Sequence, residues 1–276
     1  MSPDDVSGML ERHGSMPAPE VVEAVPTGSL GLDIALGVQG WPLGREIEIY
    51  GAPSTGRTTL AYHSLANAQL AGLNTILITN NYDAAYGARL GINNGKLLIT
   101  PHLFVLSFGQ GWVNSPFIVV DVPFDELEEQ PLPGTTVIYL TETRANLCQD
   151  MWGNTARTGK LSASVLVKLL SGDANAMKQQ QTVTAVIQRN PYAPVNEGAV
   201  FNIRWGAGID QARELVILGE KYGLVERSGN WVRMVAAATP LRFNGTDNLA
   251  AQLRHYPYIL DWMEREIRIR AAMVVC

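Results

Sequence analysis

The stretch Glu46-Ile47-Glu48-Ile49-Tyr50-Gly51-Ala52-Pro53-Ser54-Thr55-Gly56-Arg57-Thr58-Thr59 decides how this chain is read. Its first five residues alternate polar and apolar, the period of a half-buried strand. From Gly51 to Thr59 it fits the phosphate-loop pattern G-x-x-x-x-G-K-[ST] at every defined position but one, where Arg57 stands for lysine. A helical pattern follows from Thr58 to Leu70 and stops at Gly72. Strand, glycine loop and helix in this order turn backbone N–H groups and a positive helix end toward an anion. The bare letters also suit a plain strand-to-helix turn; the ordered context makes them specific.

Arg57 is not a conservative exchange. A lysine ammonium is a compact point charge, whereas guanidinium is wide, planar and always ionised. The positive charge at the loop is kept, but alignment of a transferring phosphoryl group suffers. The Thr58 hydroxyl has the position to ligate Mg²⁺ held between phosphates.

Working outward, Asn74–Thr79, Phe117–Val122 and Thr135–Thr141 read as strands, and Val183–Gln188 and Ala199–Arg204 as further strand-like stretches. The continuous apolar run Phe117–Val122 is what a strand buried on both faces requires. Strands alternating with helices imply an α/β fold with a mostly parallel central sheet flanked by helices. Upstream, Ser29 caps a helix at Leu30–Leu36, and Trp41 to Arg45 reads as a turn. Residues 4–13 read as a short helix, followed by Gly14, Pro17 and Pro19. The tail from Ile209 reads as mostly helical. Its last helix, Tyr258 to Ala272, sets Ile259, Trp262, Met263 and Ile267 on one face. The stretch 124–134 is acidic and proline-bearing and reads as a surface connection. Residues 145–160 read as a mobile loop.

At roughly 150 residues per domain, 276 residues suggest one large domain and a smaller one. A net charge of −5 excludes a strongly basic nucleic-acid coat, though not a local basic groove. Cys148 and Cys276 make neither a disulfide framework nor a zinc set. His13, His63, His102 and His255 have no metal spacing and no neighbouring nucleophile. The first residues lack the apolar core of a signal peptide, and no apolar run approaches the ~18 residues of a membrane span. The expected compartment is cytoplasmic, with no membrane partner.

The stretches "VEAVPTGSLGLDIALG" at 22–37 and "PLGREIEIYGAPSTGRTT" at 42–59 resemble the bacterial RecA recombinase family nearly residue by residue. "YGARLG" at 86–91, "MWGN" at 151–154, "ASV" at 163–165, "ARELVILGEKYGLVERSGNW" at 212–231 and "GTDNLAAQLRHYPYILDWMEREIR" at 245–268 continue the likeness in order. The resemblance implies a RecA-type core at 22–208, an N-terminal helical arm and linker at 1–21, and a C-terminal α/β domain at 209–276. In the family the arm docks on the next subunit of a filament; Asp5 to His13 would be that arm.

The resemblance also implies site roles. The nucleotide would lie on Gly51, Ala52, Pro53, Ser54, Thr55, Gly56, Arg57, Thr58 and Thr59, with Asp83 and Tyr86 holding adenine and Asp121 as the Walker B aspartate. Thr58 and Asp121 would hold Mg²⁺. Read without the family, Asp83 and Tyr86 are a helix-start aspartate and a core tyrosine, and Asp121 ends a buried strand. Single-stranded DNA would lie on Arg144, Leu147, Met151, Trp152, Gly153, Asn154, Thr158, Gly159 and Lys160. There an apolar wedge such as Trp152 enters a widened base step and backbone N–H groups hold phosphates. The plain alternative is a loop whose Trp152 packs on the sheet or on a neighbour.

The departures from the family share a direction. Asn80 and Asn81 occupy the place of the glutamate that activates water, and an amide accepts no proton, a loss of roughly 10²–10⁴ in rate. Glu142 replaces the glutamine that senses the terminal phosphate, and a carboxylate there repels phosphate. Gln188 and Asn190 replace two lysines that reach a neighbour's nucleotide, with Arg189 between them pointing the other way. The first DNA loop is missing between Asp121 and Thr135, where Asp125–Gln130 stands instead. The expected function is a divergent RecA-like recombination and repair protein that binds ATP and single-stranded DNA in a filament, with weak or absent hydrolysis. The alternative is a non-enzymatic RecA-fold scaffold or regulatory subunit, assembling with itself or with an active RecA-like partner. An intact ATPase with reassigned catalytic groups is the third possibility.

Overall fold

The computed structural model describes residues 22–101, 115–122, 134–142, 163–177, 179–195, 197–235 and 242–275. The proposed arm, the acidic piece Asp125–Gln130 and every proposed DNA-loop residue from Arg144 to Lys160 lie outside them.

β1 (Ala24–Val25) pairs antiparallel with β2 (Trp41–Pro42), and α1 (Leu30–Ala35) lies between them. The expected turn at Trp41–Arg45 is thus partly strand. Trp41 is fully buried, and its indole N–H donates to Ser64 Oγ at 2.7 Å, which holds the segment extended against the core. The helix cap is as expected: the Ser29 side chain accepts from the Leu32 N–H.

The chain continues through β3 (Glu46–Gly51), α2 (Arg57–Leu70), β4 (Thr75–Thr79), α3 (Ala84–Arg89), β5 (Leu97–Thr100), β6 (Phe117–Asp121), β7 (Thr136–Glu142), β8 (Val165–Asn175), β9 (Gln180–Arg189), β10 (Gly198–Arg204) and β11 (Gly208–Ile209). These strands form one sheet in the order β11-β10-β9-β8-β3-β7-β6-β4-β5. From β8 to β5 the pairings are parallel. β9, β10 and β11 extend the sheet by antiparallel pairs. The mostly parallel α/β architecture expected from the alternating elements is the one observed.

The apolar runs are continuous because both faces are covered. Leu77, Val119 and Ile138 face a core that α2 closes with Leu60, Ala61, Leu65 and Ala68. Their neighbours Ile76, Ile118, Val120, Val137 and Tyr139 pack together on the opposite face. Burying each such side chain contributes about 1.5–3 kcal/mol, which outweighs local propensity.

The tail differs from the expected helical run. α4 (Gln211–Lys221), α5 (Thr246–Leu253) and α6 (Pro257–Val275) are joined by β12 (Val225–Ser228), β13 (Trp231–Met234) and β14 (Arg242–Asn244), an antiparallel sheet. Strands this short leave too few turns of the period to be read from sequence. A second core forms here from Leu215, Val216, Val232, Leu249, Met263 and Ile267, with Ile259 and Trp262 packed against it. All four residues expected on the buried face of the last helix therefore lie on it.

Candidate functional site

In a parallel sheet the loops that follow the strand ends line a crevice. Here β3 ends at Gly51, directly opposite Glu142 at the end of β7. β6 ends at Asp121, opposite Thr79 of β4. The sheet thus gathers the phosphate loop, Asp121, Glu142 and the Asn80-Asn81 pair at one edge.

The loop is fixed from within and from beside. Thr55 Oγ donates to the Ala52 carbonyl at 2.8 Å, and Gln181 Nε2 donates to the Ser54 carbonyl at 2.8 Å. Gly56 closes it at φ +90° and begins α2 without a side-chain cap, and no acidic residue lies in the first turn. The first N–H groups of a helix have no intrahelical partner, so this end offers donors and a positive dipole to an anion.

Arg57 does not stand free over the loop. Its Nη2 lies 2.9 Å from Glu142 Oε1. Only 13% of its side chain is exposed, against 60% for its partner. The two departures that sequence reading treated separately are one ion pair. One level deeper, Thr58 Oγ donates to Asp121 Oδ2 at 3.4 Å. Burial raises the Asp121 carboxyl above its usual range; Arg57 and the Thr58 hydroxyl lower it again, and Glu142 raises it further. A hydroxyl and a carboxylate converging beside a phosphate cradle are an all-oxygen set of the kind Mg²⁺ takes when phosphates and water complete its shell. Thr58 and Asp121 therefore fit that ion, which would supply positive charge to offset that of a bound phosphate.

A cleft of about 300 Å³ opens beside the loop, lined by Ser54, Arg57, Thr59, Tyr86, Gln181, Ile203 and Trp205 among others. The Tyr86 hydroxyl lies 2.9 Å from Thr59 Oγ, and the Arg89 guanidinium is 5.6 Å from its ring centroid. Tyr86 faces the same cleft as the loop. Asp83 is the cap of α3 and accepts from the Tyr86 N–H at 2.9 Å, so the plain helix-start reading describes its contact. Trp205, half-exposed at the end of β10, and Gln181 were missed by sequence reading. The signal available was an aromatic residue followed at once by Gly206 at a strand end.

The remaining positions divide. Asn80 and Asn81 are exposed, and the Asn81 N–H donates to Thr79 Oγ at 3.1 Å. Gln188 accepts from the Tyr50 hydroxyl on the same sheet. Arg189 turns back, donating to the Ala163 carbonyl at 3.0 Å. Asn190 is buried, and its amide donates to the Leu36 carbonyl at 3.0 Å, so it faces its own core. Among the described residues no cluster of three or more His, Cys, Asp or Glu could hold a metal, and no helix is long and apolar enough to cross a membrane.

The RecA N-terminal domain family matches residues 7–102. Protein RecA of Acidiphilium cryptum (strain JF-5) is 32% identical over 97% of this chain and 90% of its own length. The chain belongs to the RecA family. Protein RecA of Gluconacetobacter polyoxogenes is 32% identical over 97% of this chain and 88% of the relative. Protein RecA of Rickettsia africae (strain ESF-5) is 28% identical over 97% and 90%. The family match thus takes in the phosphate loop, α2 and Tyr86. The RecA-type fold expected from the sequence is the fold found.

Proposed function

We propose that this RecA-family chain is a divergent recombination and repair protein. It binds an adenine nucleotide with Mg²⁺ at the loop of residues 51–59, ATP only weakly. It binds single-stranded DNA through residues 144–160, within a filament, and hydrolyses little or nothing. Its division into an arm at 1–21, a core at 22–208 and a C-terminal domain at 209–276 belongs to the same reading, as does a cytoplasmic location.

The observation that carries the reading is the ordered loop, uncapped at α2 and flanked by Thr58 and Asp121. Weak hydrolysis follows from the groups beside it. The amides of Asn80 and Asn81 accept no proton from water, and Arg57 is held by Glu142. Catalysis of phosphoryl transfer is mostly positioning and charge, so displacing the one cation of the loop is costly. Strand exchange needs a nucleotide-stabilised filament and base pairing, so slow hydrolysis leaves it intact.

Fluorescence anisotropy with labelled single-stranded DNA at low salt, with and without Mg-ATP, tests this. Binding that strengthens with nucleotide is expected; no binding under either condition overturns it. A second reading, a non-enzymatic scaffold, draws on the Arg57–Glu142 pair and on Asn190 facing inward. Stoichiometric filaments formed without nucleotide or DNA would favour it, whereas phosphate release abolished by Asp121→Ala would count against both.

A further inference from the structure

We infer that this cleft takes a nucleoside diphosphate in preference to a triphosphate, because the Arg57–Glu142 ion pair stands where a terminal phosphate would lie. The inference rests on the nucleotide reading of the loop and names the ligand class of that site.

The residue at the seventh position of the phosphate-loop pattern is the one that reaches the terminal phosphates. In this chain that residue is Arg57, and its Nη2 is 2.9 Å from Glu142 Oε1. The contact follows from the register of the sheet. Gly51, where the loop begins, lies directly beside Glu142 at the end of β7. One strand further, β6 carries Asp121 to the same edge. The mouth of the site therefore holds two carboxylates around one guanidinium.

A β-phosphate and a terminal phosphate meet different surroundings here. The β-phosphate sits on backbone N–H groups of the loop and on the uncapped first turn of α2, none of which Glu142 engages. A terminal phosphate must share Arg57 with Glu142 or displace it. Displacement leaves the Glu142 carboxylate beside the incoming anion, with Asp121 one strand further along the same edge of the sheet. Thr58 and Asp121 would hold Mg²⁺ with either nucleotide, so the comparison is made with that ion saturating in both cases. Glu142 is a specificity-determining residue: its charge excludes the last phosphate.

The test is calorimetric titration of the full-length chain, in saturating Mg²⁺, with ADP, with ATP and with the β,γ-imido analogue of ATP. ADP is expected to bind about tenfold or more tightly than either triphosphate. Glu142→Gln, on an exposed side chain at a strand end, is expected to bring the ratio within about threefold. Glu142→Ala gives a second variant in the same direction. Triphosphate binding as tightly as ADP in the natural chain overturns the inference and leaves the nucleotide reading standing. An unchanged ratio in both variants also overturns it, since the discrimination then arises elsewhere. Failure of every nucleotide to bind overturns the nucleotide reading itself.

Discussion

At Gly56 the backbone sits at φ +90°, and a Cβ built there would lie 2.3 Å from Ile203 Cδ1. An alanine would meet both a left-handed backbone and the terminal methyl of Ile203 on β10. Gly56→Ala is expected to cost about 1–3 kcal/mol and to weaken nucleotide binding at least about tenfold, since relaxing the clash opens the cradle. Urea midpoints and ADP titration of the same preparation check both parts. At this scale the loop was legible because its chemistry is local: glycines, hydroxyl and helix start follow one another in sequence. Asp121 was legible as the end of an apolar run. The ion pair was not, because Arg57 and Glu142 are 85 positions apart and only the β3–β7 register joins them. Asp121→Asn tests the metal assignment. It is expected to remove the Mg²⁺ dependence of ADP affinity while leaving binding without Mg²⁺ nearly unchanged, read by titrating with and without chelator.

Elements are held by contacts of the same long range. His63 lies on α2, and its Nε2 accepts from the Ile209 N–H at 3.0 Å, which ties β11 to the helix. Gly208 permits the approach: at φ +82° its Cβ would lie 2.4 Å from His63 Nε2. Burial pushes the imidazole down to about 4 from its ordinary 6.5. Because the folded value is depressed, this stabilisation is present above about pH 6.5 and is lost as pH falls toward 4. A ¹H–¹³C titration is expected to show the His63 ring neutral at pH 5.5, and a midpoint near 6.5 would refute the account. His63→Leu removes the acceptor and leaves the Ile209 N–H unpaired, at a cost of about 1–3 kcal/mol. Sequence reading found α2 because several periods of pattern accumulate over it, and β6 because its five residues belong to one unbroken apolar run. It gave the lone His63 no role, since a bond to a distant backbone N–H leaves no local signature. It also passed over β12 to β14, whose few residues each carry less pattern than a turn.

For the molecule as a whole, the question is what fastens the second core to the sheet. Leu30 of α1 belongs to the second core although its helix precedes the phosphate loop. Glu214 of α4 is buried and accepts from Ser29 Oγ, from the Gly31 N–H at 3.0 Å and from the Leu30 N–H at 3.2 Å. Arg268 of α6 reaches across to the buried Asp33 of α1 at 2.9 Å. A six-residue helix is too short to persist alone, so these side chains are what make α1 a joint between the two cores. Burial raises Glu214 to about 7 from 4.5, the hydrogen bonds from Ser29 and Gly31 opposing it, and raises Asp33 to about 6 from 3.8, Arg268 opposing it. Acids whose folded values are raised hold their protons more tightly when folded. Their contribution is therefore complete below the unfolded values and is lost as pH rises through the folded ones. His63 works in the opposite direction, but its contribution is already complete above about 6.5, and Asp33 is largely ionised there too. Between pH 6.5 and 8 the remaining change belongs to Glu214. The chain is expected to lose stability over that interval, by up to on the order of 1–2 kcal/mol at the joint. Glu214→Gln carries no charge but keeps only one acceptor oxygen, so one of the two N–H groups loses its partner; it is expected to flatten the slope and to lie between the natural chain and Glu214→Ala in stability. Glu214→Ala leaves those N–H groups without their acceptor and is expected to be weaker at every pH, by about 2–4 kcal/mol. Urea midpoints of the three proteins at pH 6.5 and pH 8 decide it: a slope in Glu214→Gln equal to that of the natural chain places the proton elsewhere and removes Glu214 from the joint's pH response.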